Sequence, residues 1–166
     1  LWANLPASQK MMAPRYRDIK KKDIPEIALK GGAIVKIICG EMNGVKGPVR
    51  DIVSDPEYLD ISLPAKFQFS HVVKKEHKLL AYVIEGAGRF DDDRGLSVGP
   101  ENLITFDDGD TIAVCAEDRP LRFLLISGKP IREPVAWYGP IVMNTEDELK
   151  IAFEEYNKGT FLKHTT

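Results

Sequence analysis

Three histidines, two cysteines and a few closely spaced acids are the groups in this 166-residue chain with chemistry to offer. His71 and His77 flank the charged run Lys74-Lys75-Glu76, and an imidazole can ligate a metal or move a proton near neutral pH. Side chains alternate along a strand, so a one-residue slip turns either ring to the opposite face, and only a bulge would bring it inward. Both are therefore read as structural or surface histidines and as weak metal candidates; His164, near the chain end, is expected in solvent. Glu76 falls in a charged loop and Glu85 at a strand end, so they read as exposed carboxylates, not an acid–base pair. Asp107, Asp108 and Asp110 around Gly109 have the composition of a calcium loop without its length, and read as a turn. Cys39 and Cys115 lie in apolar runs with neither metal spacing nor a disulfide framework, and no His or Lys pattern lowers the Cys115 thiol.

Lys74 and Arg122 form the remaining constellation. Pointed into one interior walled by Phe67, Phe69, Tyr82 and Phe123, they would hold a small anion or carboxylate. The simpler arrangement sends both cations to the rim and leaves the apolar residues to fill a packed core.

The stretch that must organise these groups is Lys78 to Gly88. Leu80, Tyr82 and Ile84 alternate with Leu79, Ala81 and Val83, so both faces are apolar and the strand is expected between two layers. Gly86 and Gly88 then predict a hairpin, with Asp91 to Asp93 in the loop beyond. Further strands are predicted over 24–29, 33–39, 58–63, 67–73, 102–106, 111–115 and 121–127, with turn chemistry at Gly40, Asn43-Gly44 and Gly47-Pro48. Many short strands with Gly or Pro turns define an all-β antiparallel sandwich or barrel. One helix is predicted near the end: Thr145 and Glu148 form a capping box, Leu149, Ala152, Phe153 and Tyr156 share a face, and Gly159 stops it.

Composition narrows the partners. With 23 basic and 25 acidic residues the net charge is −2, so no global field draws the chain to nucleic acid or anionic lipid, and Lys20 to Lys22 read as a solvated linker. No apolar run approaches the roughly 18 residues that span a bilayer. Cysteine usage favours a reducing compartment, the cytoplasm, with the nucleus open to a eukaryotic protein. The chain starts at Leu1, not Met, which reads as a fragment or a trimmed product.

Tyr82-Val-Ile-Glu-Gly86 resembles the strand-and-turn core of cupin barrels. Arg122-Phe-Leu-Leu-Ile-Ser-Gly-Lys-Pro-Ile-Arg-Glu-Pro134, Tyr138-Gly-Pro-Ile-Val-Met-Asn-Thr145 and Gly159-Thr-Phe161 resemble the carboxy-terminal segment of the pirin family. Leu1-Trp-Ala-Asn-Leu-Pro6 and Pro14-Arg-Tyr16 resemble the linker after the first cupin of the same two-cupin proteins. The resemblance implies a cupin-type β-barrel or jelly roll with an N-terminal arm (1–22), a barrel (23–143) and a C-terminal helix and tail (144–166). It also implies that the family's Fe(II), held by three His and one Glu, belongs to a first domain not included in this chain. Aligned on the two cupin motifs, the ligand positions here fall near Val72, Lys74, Arg122 and Leu124, none of which suits iron.

The expected role is thus a metal-free structural and interaction module without catalysis of its own. Its partners would be a first cupin of the same protein, a second copy, or other proteins. One alternative is part of an iron-dependent, quercetinase-like dioxygenase whose site lies in the first cupin; another is small-ligand binding in the barrel. Transcriptional co-regulation, linked to animal members of the family, rests on the resemblance alone.

Overall fold

A run such as Leu79, Ala81, Val83 buries one side of a strand, and two sheets of such strands enclose a core. A computed structural model describes residues 1–91 and 95–163; Asp92, Asp93 and His164 lie outside the described residues. The chain forms two compact units, one from Ile19–Pro130 and one joining Leu1–Asp18 to Ile131–Thr166.

The larger unit opens with strands β1 (Glu26–Ala28), β2 (Ile34–Cys39), β3 (Glu41–Met42), β4 (Val45–Lys46), β5 (Glu57–Leu63) and β6 (Gln68–Val72). It continues through β7 (Lys78–Glu85), β8 (Gly88–Arg89), β9 (Ser97–Val98), β10 (Leu103–Thr105), β11 (Thr111–Ala116) and β12 (Leu121–Gly128). Six of these make one sheet in the order β1-β2-β5-β12-β7-β10, and four make a second in the order β6-β11-β8-β9. β3 and β4 pair as a separate short hairpin. Every pairing between these strands is antiparallel. Val35 and Ile37, Leu59, Ile61 and Leu63, and Leu121, Phe123 and Leu125 face the core from the first sheet. Phe69, Ile112 and Val114 face it from the second. Phe123 meets Phe90 and Phe69 edge to face, with ring centroids 5.1 and 6.3 Å apart, so the interior is filled by apolar side chains.

Two expectations change in this unit. β7 buries only Leu79, Ala81 and Val83, while Tyr82 on its other face is 37% exposed, because that face lies outside the six-stranded sheet. Gly86 does not close a hairpin either. β7 lies between β12 and β10, whereas β8 pairs with β11 and β9, so the chain crosses from one sheet to the other at Gly86. Gly86 has φ +75°, and a Cβ there would sit 2.0 Å from the Pro120 carbonyl oxygen. The turn chemistry read at Asn43-Gly44 is present, both residues having positive φ, and it joins the two-residue strands β3 and β4.

The smaller unit contains α1 (Ala7–Lys10), β13 (Ala136–Tyr138), β14 (Ile141–Met143) and α2 (Glu146–Lys158). Thr145 and Glu148 form the capping box, and Gly159 ends α2 at φ +71°. Leu149 and Ala152 pack with Ala136 and Ile141, while Tyr156 is exposed and stands outside the buried stripe. The arm folds onto this unit and is not extended throughout. The Ala7 amide donates to Glu133 Oε2 at 2.7 Å, and the Trp2 and Trp137 rings meet edge to face at 6.3 Å. By packing, residues 1–18 and 131–143 cluster with α2. No helix among the described residues is long and apolar enough to cross a membrane.

Candidate functional site

β2 ends, and β5 and β7 begin, at the same end of the six-stranded sheet where β12 finishes. A cleft of about 630 Å³ opens there, lined by Cys39, Glu57, His71, His77 and Ser127 among others, with Asp55 and Lys74 also on its wall.

His71 lies on β6 with its ring stacked beside Phe69, centroids 6.2 Å apart. Its Nε2 stands 3.1 and 3.0 Å from the two oxygens of Glu57, at the start of β5. An ionised carboxylate only accepts, so in the tautomer protonated at Nε2 the ring donates to it. The two side chains are 10% and 16% exposed, and the pair links a strand of one sheet to a strand of the other.

His77 sits in the turn before β7, its amide donating to the Lys74 carbonyl at 2.9 Å. Nδ1 is 3.3 Å from Ser127 Oγ, and Nε2 is 3.7 Å from Asp55 Oδ2, beyond hydrogen-bond reach. Its side chain is 5% exposed. Burial pushes this imidazole below its ordinary pKa, and the Lys74 ammonium pushes the same way. Lys74 itself pairs with Asp55. The Cys39 thiol donates to the Pro56 carbonyl at 3.2 Å, and burial raises its pKa, which disfavours the thiolate.

The structure does not bring the anticipated pocket together. Lys74 is at the cleft, but Arg122 lies on the face of β12 opposite the core, its Nε and one terminal nitrogen donating to Asp60 at 3.0 and 2.8 Å. That bidentate bond, with the charge of Asp60, raises the Arg122 pKa further. Phe69 and Phe123 are buried in the core, Phe67 packs against its margin, and Tyr82 faces outward. The cations are thus held by carboxylates at separate places while the rings pack elsewhere.

His71 needed no bulge to turn inward. Phe69 and Val73 are buried on either side of it, and it is Val72 that points out, 76% exposed. Glu57, Asp55 and Ser127 were not foreseen as its companions. Glu57 is visible in the sequence only as the residue before a strand, and its partner belongs to the other sheet.

This register bears directly on iron. At the aligned positions Val72, Lys74, Arg122 and Leu124 offer two hydrocarbons and two cations. On the inward faces the same strands carry His71, Val73, Leu121, Phe123 and Leu125, one imidazole and four hydrocarbons. Among the described residues no three His, Cys, Asp or Glu side chains are grouped to share a metal. The residues present do not fit the three-His, one-Glu set.

Two stacked antiparallel sheets around an apolar interior, followed by one capped helix, define an all-β cupin. The family described as the pirin C-terminal cupin domain matches residues 58–162. A putative pirin-like protein of Arabidopsis thaliana is 40% identical over 163 residues, covering 96% of this chain and 59% of that protein. A putative quercetin 2,3-dioxygenase of Thermoplasma acidophilum is 34% identical over 171 residues, covering 99% and 64%. The crystal structure of a quercetin 2,3-dioxygenase from Acinetobacter baumannii superposes with a TM-score of 0.86 at 33% identity, covering 96% of this chain and 55% of that one. This chain belongs to the pirin family, and its segment from β5 through α2 falls in the family's C-terminal cupin domain. It spans between about half and two thirds of the length of these curated relatives.

Proposed function

We propose that this chain is a cupin without a metal centre, serving as a structural and interaction module of a pirin-type protein. One observation carries the reading: in either strand register, the positions that would grip iron supply at most one ligand, and the interior between them is packed with Phe69, Phe90 and Phe123. Anaerobic incubation of the purified chain with Fe(II), then desalting and metal analysis, is expected to leave well under one iron per chain. A stoichiometric ion retained by the chain would overturn the reading.

The companion surface is a first cupin domain or a second copy of the chain. Trp137 and Tyr138 are 67% and 70% exposed, and apolar side chains of this size call for a partner. Light scattering coupled to gel filtration separates the two partners, since only a second copy doubles the mass of the isolated chain.

A second reading applies to a longer polypeptide containing this chain. Relatives named putative quercetin 2,3-dioxygenases extend well beyond the matched region, so a dioxygenase site would be carried by the domain this chain accompanies. Quercetin turnover by the longer polypeptide, abolished when the other domain's ligands are replaced and preserved when His71 is replaced, is the expected pattern.

A further inference from the structure

The end cleft carries four carboxylates, Glu41, Asp51, Asp55 and Glu57, against three cations, Lys46, Arg50 and Lys74. Lys46 pairs with Glu41, and Lys74 with Asp55. With its charges so nearly balanced, the lining does not select an ion of either sign. Two imidazoles, His71 and His77, stand among these charges.

The imidazoles are held differently. His71 has both oxygens of Glu57 within 3.1 Å of its Nε2. His77 has a hydroxyl at Nδ1, and at Nε2 a carboxylate 3.7 Å away that is engaged by Lys74. The charged and titratable groups facing His77 are Asp55 and Glu57 from the start of β5 and the segment before it, Lys74 from its own turn, and Lys129 beyond the end of β12. His71 and Cys39 share the cleft.

We propose that His77, Asp55 and Lys74 form an acid-responsive latch, in which protonation of His77 moves Asp55 from Lys74 to the imidazolium and so shifts the anchor of the β6–β7 turn at the mouth of the cleft from Lys74 to His77. A protonated imidazole has two N–H donors. Ser127 Oγ can accept one. The other, in a side chain only 5% exposed, must find an anion or leave the protein. Asp55 is the acidic group nearest Nε2, and taking it deprives Lys74 of its counter-ion. The turn between β6 and β7 carries both competitors, so the exchange changes how that turn is fastened to the segment before β5. The latch concerns protons alone and stands whether or not the barrel binds metal.

Isotope-labelled chain titrated from pH 8 to pH 5 tests this by NMR. The His77 ring is expected to titrate with a midpoint below the ordinary imidazole value of about 6.5, and the backbone amides of Asp55 and Lys74 are expected to shift with the same midpoint. In His77→Gln, which keeps a hydrogen-bonding group beside Ser127, that shared step disappears from residues 55 and 74. In Lys74→Met, at an exposed position, the His77 midpoint rises, because the repelling cation is gone and Asp55 is available. A step at residues 55 and 74 that survives in His77→Gln, a His77 midpoint at or above 6.5, or a midpoint unmoved in Lys74→Met would overturn the latch.

Discussion

Replacing Arg122 by Met would leave the Asp60 carboxylate, 9% exposed, without the two donors that now satisfy it. Breaking a fully buried pair costs roughly 3–5 kcal/mol; since the Arg122 side chain is 39% exposed, solvent takes up part of the loss, and about 2 kcal/mol is expected. Urea unfolding should show a lower midpoint at unchanged slope, and Asp60→Leu combined with Arg122→Met should recover most of the loss, because no charge is then stranded. His77 gives the residue scale a pH signature. Its pKa is lower in the folded chain than in the unfolded one, so below about pH 6.5 the unfolded state binds the additional proton. The stability contributed by neutral His77 is complete above that pH and is lost as the pH falls below it. Between pH 7.5 and 5.5 the wild type should therefore lose more stability than His77→Gln, the difference between the two isolating this ring from the carboxylates.

At the scale of elements, the crossing between sheets depends on Gly86 far more than the β3–β4 turn depends on Gly44. Both have φ near +75°, but a Cβ at Gly86 runs into the Pro120 carbonyl at 2.0 Å, whereas one at Gly44 meets nothing within 4 Å. Gly44→Ala should cost about 1 kcal/mol, the strain of a left-handed alanine. Gly86→Ala should cost several times that, since backbone must move, and should show as a lower melting temperature or loss of soluble chain. The comparison shows why local pattern reveals an element better than its placement. Alternation in Leu59, Ile61, Leu63 and in Ile112, Val114 marks strands, and Thr145, Glu148 and Gly159 mark both ends of α2. Nothing local shows that β7 and β8, three residues apart, belong to different sheets, because that is decided by the distant partners β12 and β11. Two-residue strands such as β3, β8 and β9 are too short to carry a period at all.

At the scale of the molecule, the same distinction separates the site's ingredients from its assembly. His71, His77, Lys74 and Cys39 stood out by residue type, but Glu57, Asp55 and Ser127 become their neighbours only when β5, β6 and β12 are brought to one end of the fold. Arg122 and Tyr82, equally prominent by type, are carried away by the same topology. Strand direction also settles a question that motif spacing left one residue out of step: β6 turns His71 inward and Val72 outward, and β12 turns Phe123 inward and Arg122 outward. Substituting ligands at Val72 and Arg122 would therefore place them on outer faces, where no common metal position exists. Val72→His combined with Arg122→His is expected to acquire no stoichiometric Fe(II), although it raises the number of imidazoles on these strands from one to three. Metal analysis beside the wild-type chain checks this; one iron per variant chain would mean that the two outer faces converge after all, contrary to the sheet geometry.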